Sequence, residues 1–180
     1  MAQKAGITIP QRVGQAAEVS YSGAPAADYG PLARDKIPVR SMAEGDLRAL
    51  VAIDRRITGR DRAEYFQRKL ADALTESDVR VSLVAELDGG AVGFIMARVD
   101  LGEFGRVETT AVIDTIGVDP DYQNRGVGRA LLSQLLTNLA TLRVEMVRTE
   151  VDWQERDLLG YLDRNGFLPS QQLCFDQPLA

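Results

Sequence analysis

The residues best placed to do chemistry lie in one run, Gly117-Val118-Asp119-Pro120-Asp121-Tyr122-Gln123-Asn124-Arg125-Gly126-Val127-Gly128-Arg129-Ala130-Leu131-Leu132. An apolar, strand-like segment from Val112 to Val118 enters a turn at Asp119-Pro120, passes a glycine-containing loop and continues into a leucine-rich helical pattern. Strand, glycine loop and helix in that order cradle phosphate oxygens. The loop lets backbone N–H groups converge, and the helix N-terminus adds orphan donors and a partial positive charge. Two phosphate loops fail on residues. The P-loop needs a lysine and a hydroxyl after its last glycine, but Arg129-Ala130 follow Gly128. The dinucleotide fingerprint needs a third glycine where Leu131 stands. A tight strand-to-helix connection that binds nothing is the bland alternative, since glycine relieves any turn.

The other reactive groups are few. The chain has no histidine, which removes Ser-His-Asp and Cys-His mechanisms, histidine-ligated metals and the usual base near neutral pH. Its one cysteine, Cys174, excludes an intramolecular disulfide and a multi-cysteine zinc site; within Leu173-Cys174-Phe175 it reads as a small core residue. No metal is expected. Acid–base chemistry falls to carboxylates, tyrosine, lysine, a terminus or water.

Gln123-Asn124-Arg125-Gly126-Val127-Gly128 matches Gln/Arg-x-x-Gly-x-Gly/Ala. In that motif the chain resembles the GNAT superfamily of acyl-CoA-dependent N-acyltransferases, where it binds pyrophosphate. Ile116-Gly117-Val118-Asp119-Pro120-Asp121-Tyr122 is similar to the family's strand 4 and its exit, and Asn165-Gly166-Phe167 to the Gly-Phe closing its last helix. The resemblance covers roughly residues 37 to 180 and is most specific from 112 to 167. It implies an α/β GNAT fold with a mixed central sheet in which parallel strands 4 and 5 splay apart to admit the pantetheine arm of acetyl-CoA. It further implies that backbone groups of Ile116 and Val118, flanking Gly117, bond the pantetheine amides. Backbone amides from Arg125 through Gly126, Val127, Gly128 and Arg129 to Ala130 would hold the pyrophosphate, with charge from Arg125 and Arg129.

Direct acetyl transfer to a primary amine, which the resemblance implies, needs a base because an alkylamine is mostly protonated at pH 7. Asp114 alternates with Val112, Ile116 and Val118, so it is expected on their face of the strand. The resemblance makes it the first candidate base, against a purely structural aspartate; Glu103, Glu108, Glu150 and Asp152 rank below it. Many family members carry a leaving-group tyrosine four residues before the glycine of Gly-Phe. Here that position is Leu162, and Tyr161 precedes it. A one-residue shift turns a helical side chain by about 100 degrees. Tyr161 is thus the candidate acid only if a local bulge restores it, and a core residue otherwise. Acceptor specificity in the family lies in its first two helices and the loop before strand 4. That region carries Arg55, Arg56, Arg60, Arg62, Arg68 and Lys69, either a guide for an anionic acceptor or a solvated face paired with Asp54, Asp61, Glu64 and Asp72. Phe104 and Trp153 are candidate pocket walls.

The elements that must position these residues follow from periodicity. Ile37-Pro38-Val39-Arg40 reads as an edge strand, and Leu47, Leu50, Val51 and Ile57 as one helix face ended by Gly59. Tyr65 to Leu74 continue as a second helix. Val79 to Leu87 alternate as a strand, and Asp88-Gly89-Gly90 turn it into another from Ala91 to Val99. The central strand ends at Val118, Val127 to Leu142 form a helix, and Val144 to Val151 a strand. Arg156 to Asn165 form the last helix, and Leu173 to Phe175 begin a closing strand. The order is β-α-α-β-β-β-α-β-α-β, with residues 37–180 as the domain and 1–36 as an extended, Ala/Gly/Pro-rich arm.

A net charge of −5 argues against nucleic-acid and anionic-membrane partners. No apolar stretch reaches bilayer length and no secretory h-region is visible, so a cytoplasmic location is expected. The expected partner is an amine, small molecule or protein, with a homodimer left open. The rival to an enzyme is a non-catalytic acyl-CoA-binding sensor or interaction module, favoured by Leu162 at the tyrosine position.

Overall fold

Period-two alternation of apolar residues generates the centre of the fold. In the computed structural model, which describes residues 37–75, 81–100, 109–171 and 177, strands β2 (Leu83–Leu87), β3 (Gly90–Asp100) and β4 (Thr110–Val118) form an antiparallel meander. Strand β1 (Val39–Ser41) pairs antiparallel with β2, and β5 (Met146–Thr149) pairs parallel with β4. The five strands lie in the order β1-β2-β3-β4-β5. Helices α1 (Leu47–Thr58) and α2 (Ala63–Thr75) precede β2; α3 (Val127–Thr141) joins β4 to β5, and α4 (Arg156–Arg164) follows β5.

Alternation decides which side of the sheet each residue serves. Leu83, Ala85 and Ile95 turn toward α3, which buries Val127, Ala130, Leu131, Leu132, Leu135 and Leu139 against them. Val84, Phe94 and Met96 turn the other way, toward Leu50 and Ile53 of α1 and Phe66 and Leu70 of α2. There Phe66 meets Phe94 edge to face, with ring centres 5.5 Å apart. The glycine loop therefore enters a helix that is fixed on the sheet along its whole apolar stripe.

The element order through Arg164 is the expected one. The expected closing strand at Leu173–Phe175, the arm at 1–36, and Glu103, Phe104, Glu108 and Cys174 lie outside the described residues. Three local expectations are corrected. Strand β1 starts at Val39 rather than Ile37, because Pro38 has no N–H to give a ladder. Strand β5 is shorter than Val144 to Val151, since its pairing with β4 runs only from Met146 to Thr149. Ile57, placed by periodicity on the buried face of α1, is 45% exposed and lines a cleft instead. Among the described residues no helix is long and apolar enough to cross a membrane.

Candidate functional site

The loop between β4 and α3 is built from its own backbone. Asp119 Oδ1 accepts from the Asp121 N–H at 3.0 Å, and its carbonyl accepts from the Tyr122 N–H at 2.8 Å. Two left-handed residues then redirect the chain, Asn124 at φ 58° and Gly126 at φ 89°. Asparagine tolerates that region, whereas the wider angle at 126 favours glycine. A Cβ at 126 would meet only Ile37 Cδ1, at 3.7 Å, so the space before it is open and the constraint is conformational. The first hydrogen bond into α3 runs from the Ala130 N–H to the Gly126 carbonyl at 2.9 Å. The N–H groups of Val127, Gly128 and Arg129 therefore precede the helical ladder, and no side chain caps the helix. Free donors at the positive end of a helix suit a diphosphate.

The side chains of the motif divide the work. Val127 and Ala130 are buried anchors. Gln123 Nε2 donates to the Val118 carbonyl at 3.2 Å, fastening the strand exit. The Arg125 guanidinium lies 5.2 Å over the Tyr122 ring, while the Tyr122 hydroxyl donates to Asp88 Oδ2 at 3.0 Å. That bond raises the Tyr122 pKa above the ordinary tyrosine value. Arg125 and Arg129 are exposed. Gly117 is buried against Phe94; a Cβ there would stand 2.7 Å from Phe94 Cε1, so packing demands glycine.

Strands β4 and β5 stay paired from Thr110↔Met146 to Ile113↔Thr149 and then part. The Thr149 hydroxyl donates to the Ile113 carbonyl at 3.1 Å where they separate. A β-bulge supplies a cause. Thr115 pairs with Met96 of β3 and Ile113 with Ala97, so Asp114 has no β3 partner. Bulges bend a strand and increase its twist. The gap opens into a cleft of about 250 Å³. Ile116 and Asp114 line it from β4, Ile57 and Asp54 from α1, Glu150 and Asp152 from the chain after β5, and Tyr161 from α4.

The bulge also corrects the expected facing of Asp114. Ala111 and Ile113 face the α3 cluster before it, and Ile116 and Val118 pack on that same cluster after it. Asp114 does not share the face of Ile116 and Val118. It turns toward α2, where Oδ2 accepts from Lys69 Nζ at 3.1 Å and Oδ1 accepts from Arg98 Nη1. Both oxygens of this largely buried carboxylate are held by cations.

The basic cluster divides: Arg55, Arg60 and Arg68 are exposed, while Arg56, Arg62 and Lys69 pair with carboxylates. Arg62 forks onto the buried Asp54, with Nε to Oδ2 at 2.9 Å and Nη2 to Oδ1. This pair raises the Arg62 pKa above the ordinary arginine value. Arg56 takes Asp119 and Asp121, and Lys69 takes Asp114. Of the four expected acidic partners, Asp54 alone is among these pairs. Glu150, Asp152 and Glu155 line the cleft and carry no ion pair among the described residues. The cleft thus presents net negative charge, which suits a cationic acceptor rather than an anionic one.

Tyr161 reaches the glycine loop. Its hydroxyl donates to the Gly128 carbonyl at 2.8 Å, and its ring lies 3.4 Å from where a Cβ at Gly128 would stand. Burial pushes its pKa well above the ordinary tyrosine value, so it stays protonated and is able to donate but not to act as a base. Tyr161→Phe is expected to lower the melting temperature by about 2–4 °C, the loss of one hydrogen bond in a chain of this size. Turnover should fall by less than about threefold. A hundredfold fall in kcat would assign Tyr161 as the leaving-group acid.

Sequence reasoning missed Asp54, Ile57 and Glu155 as cleft residues. Trp153 is 83% exposed in the loop that carries Asp152 and Glu155.

Comparison with known proteins agrees with this geometry. The mycothiol acetyltransferase of Propionibacterium freudenreichii subsp. shermanii is 28% identical over 134 residues, 69% of this chain and 40% of that protein. The chain thus spans about 40% of the length of this curated relative. An aminoglycoside N-acetyltransferase in complex with CoA superposes on 80% of this chain and 95% of its own, with a TM-score of 0.69 at 15% identity. The ribosomal-protein-alanine N-acetyltransferase of Brucella melitensis biovar Abortus covers 79% of this chain and 99% of its own, with a TM-score of 0.62 at 16% identity. At such identities the superpositions show the fold. The acetyltransferase (GNAT) family profile matches residues 47–167, a span that holds the splayed strands, the glycine loop and the cleft, and the chain belongs to that family.

Proposed function

We propose that this chain transfers the acetyl group of acetyl-CoA to a cationic primary amine by direct attack in the cleft between β4 and β5. The observation that carries this reading is the end of β4–β5 pairing at Ile113↔Thr149, which opens a cleft with an acidic rim, lined also by Tyr161, whose hydroxyl meets Gly128 at the helix N-terminus. Family membership, and a relative in this fold in complex with a bisubstrate analog of CoA and an acetylated aminoglycoside part, support it.

Acetyl-CoA supplies the acyl group as an activated thioester. The chain's own residues supply the rest. The N–H groups of Val127, Gly128 and Arg129 bind the pyrophosphate, with Arg125 and Arg129 adding charge. The edge of β4 from Asp114 to Val118, which has no partner on the β5 side among the described residues, receives the amide-bearing arm. Glu150, Asp152 and Glu155 attract the protonated amine. Glu150 then takes its proton, because it follows the last paired residue of β5 and, among the described residues, lacks the cations that occupy Asp114. The neutral amine attacks the thioester carbonyl, the C–S bond breaks, and the departing thiolate takes its proton from water.

The direct test is thermal unfolding with acetyl-CoA beside a turnover assay over varied amines. At about a hundred times its Kd the ligand should stabilise the fold by about 2.7 kcal/mol, a rise of roughly 5–10 °C. No rise with acetyl-CoA or CoA would sink the donor site. A rise without acetylation of any amine would leave a binding module and not an enzyme.

A further inference from the structure

We infer that Arg56 is a positioning residue that couples the donor loop to the acceptor wall of the cleft; the donor half of this inference rests on the function proposed above. Arg56 sits in the last turn of α1, directly before Ile57 and Thr58, which line the cleft. Its Nη1 donates to both oxygens of Asp119, at 2.6 and 2.7 Å, and its Nη2 donates to Asp121 Oδ2 at 2.9 Å. Asp119 and Asp121 open the turn that leads into Gln123–Gly128. The same Asp119 Oδ1 accepts the Asp121 N–H. The Asp119 N–H is itself tied to the Val92 carbonyl at 2.9 Å. A guanidinium reaching from another helix therefore closes the first bend of the pyrophosphate loop.

Exposed ion pairs contribute little when isolated, but this one is a fork into a hydrogen-bonded network, and Asp119 is only 15% exposed. A lysine ammonium cannot span both carboxylates with a planar fork. No residue of α1 belongs to the glycine motif, and neither Asp119 nor Asp121 lines the cleft, so Arg56 is a link between them. Because linkage is reciprocal, anything that orders the donor loop should also order the end of α1, and an amine bound against Ile57 should favour the donor.

Amide hydrogen exchange and steady-state kinetics on the full chain test this. In the free protein, Arg56→Ala should speed exchange across residues 119–130 by about five- to tenfold, and Arg56→Lys should recover little of that protection. Saturating CoA should slow exchange at residues 55–60 in the wild type and not in Arg56→Ala. The KM for acetyl-CoA should rise about five- to tenfold while kcat stays within about twofold. A purely structural role would lower the melting temperature without this KM-against-kcat split. Unchanged exchange at 119–130 together with an unchanged KM would overturn the inference. If the wild type failed to bind CoA, the proposed donor site would fall, and exchange in the free protein would still decide whether Arg56 holds the loop.

Discussion

Glu150→Gln is expected to lower kcat about a hundredfold, the ordinary contribution of a positioned general base. The KM for acetyl-CoA should be unchanged. The argument is one of available lone pairs. An amine entering the gap between β4 and β5 meets carboxylates from Asp54, Asp114, Glu150, Asp152 and Glu155. Asp54 is forked by Arg62, and Asp114 is held by Lys69 and Arg98. The lone pairs of those two carboxylates are occupied by their cations, and breaking either pair in a partly buried site is unfavourable. Glu150 has no such partner among the described residues and follows the last residue of β5. Glutamine keeps its shape and its acceptor oxygen but cannot take a proton, so pre-steady-state acetylation reads the chemical step alone. Asp114→Asn supplies the contrast. It should reduce kcat by less than about tenfold while lowering thermal stability, since Lys69 and Arg98 would face a neutral amide. If Asp114→Asn instead lowered kcat about a hundredfold and Glu150→Gln kept wild-type turnover, Asp114 would be the base.

The uneven legibility of this site in the sequence has a physical origin. The glycine loop is local: φ > 0 at Gly126, the orphan donors of α3 and the proline turn before them are all encoded within a dozen residues, so the motif could be read in one dimension. Strand alternation and the apolar stripe of α3 are equally local and gave the right element order. Period two along β4 puts Asp114 on the face of Ile116, whereas the bulge that resets the count exists only in the pairing with β3. The basic residues were given near neighbours in sequence as partners. That holds for Arg62, eight residues from Asp54, but Asp119 lies 63 residues from Arg56 and Asp114 lies 45 from Lys69. Such pairs are fixed by how α1 and α2 cross the sheet, which no local pattern records. Ile57 shows the same limit, because an apolar residue on a helix reads as core until the splay of β4 and β5 removes the surface it would have covered.

Gly126→Val should weaken acetyl-CoA binding by about ten- to a hundredfold, as measured by calorimetry well below the melting temperature. At φ 89° a β-branched residue is a backbone outlier, and a left-handed conformation costs a side-chain-bearing residue roughly 1–2 kcal/mol. That strain has two outlets, and each damages the donor site. If the backbone keeps its angle, the protein is destabilised and an isopropyl group occupies the open space before the helix. If the backbone relaxes toward negative φ, position 126 no longer directs the chain into α3. The N–H groups of Val127, Gly128 and Arg129 then lose their convergence on one anion. Gly126→Ala separates the two. The space beyond the position is open, with Ile37 Cδ1 at 3.7 Å as the nearest contact, so alanine brings the strain with little added bulk and should weaken binding less than valine. Equal affinity in all three proteins would mean that the loop does not bind the donor, whatever its resemblance to a phosphate cradle. A loss of stability with unchanged affinity would reduce Gly126 to a turn residue. A graded loss of affinity from glycine through alanine to valine, with kcat at saturating donor held within about threefold, is the signature of a backbone site whose ligand contacts are made before the chemical step.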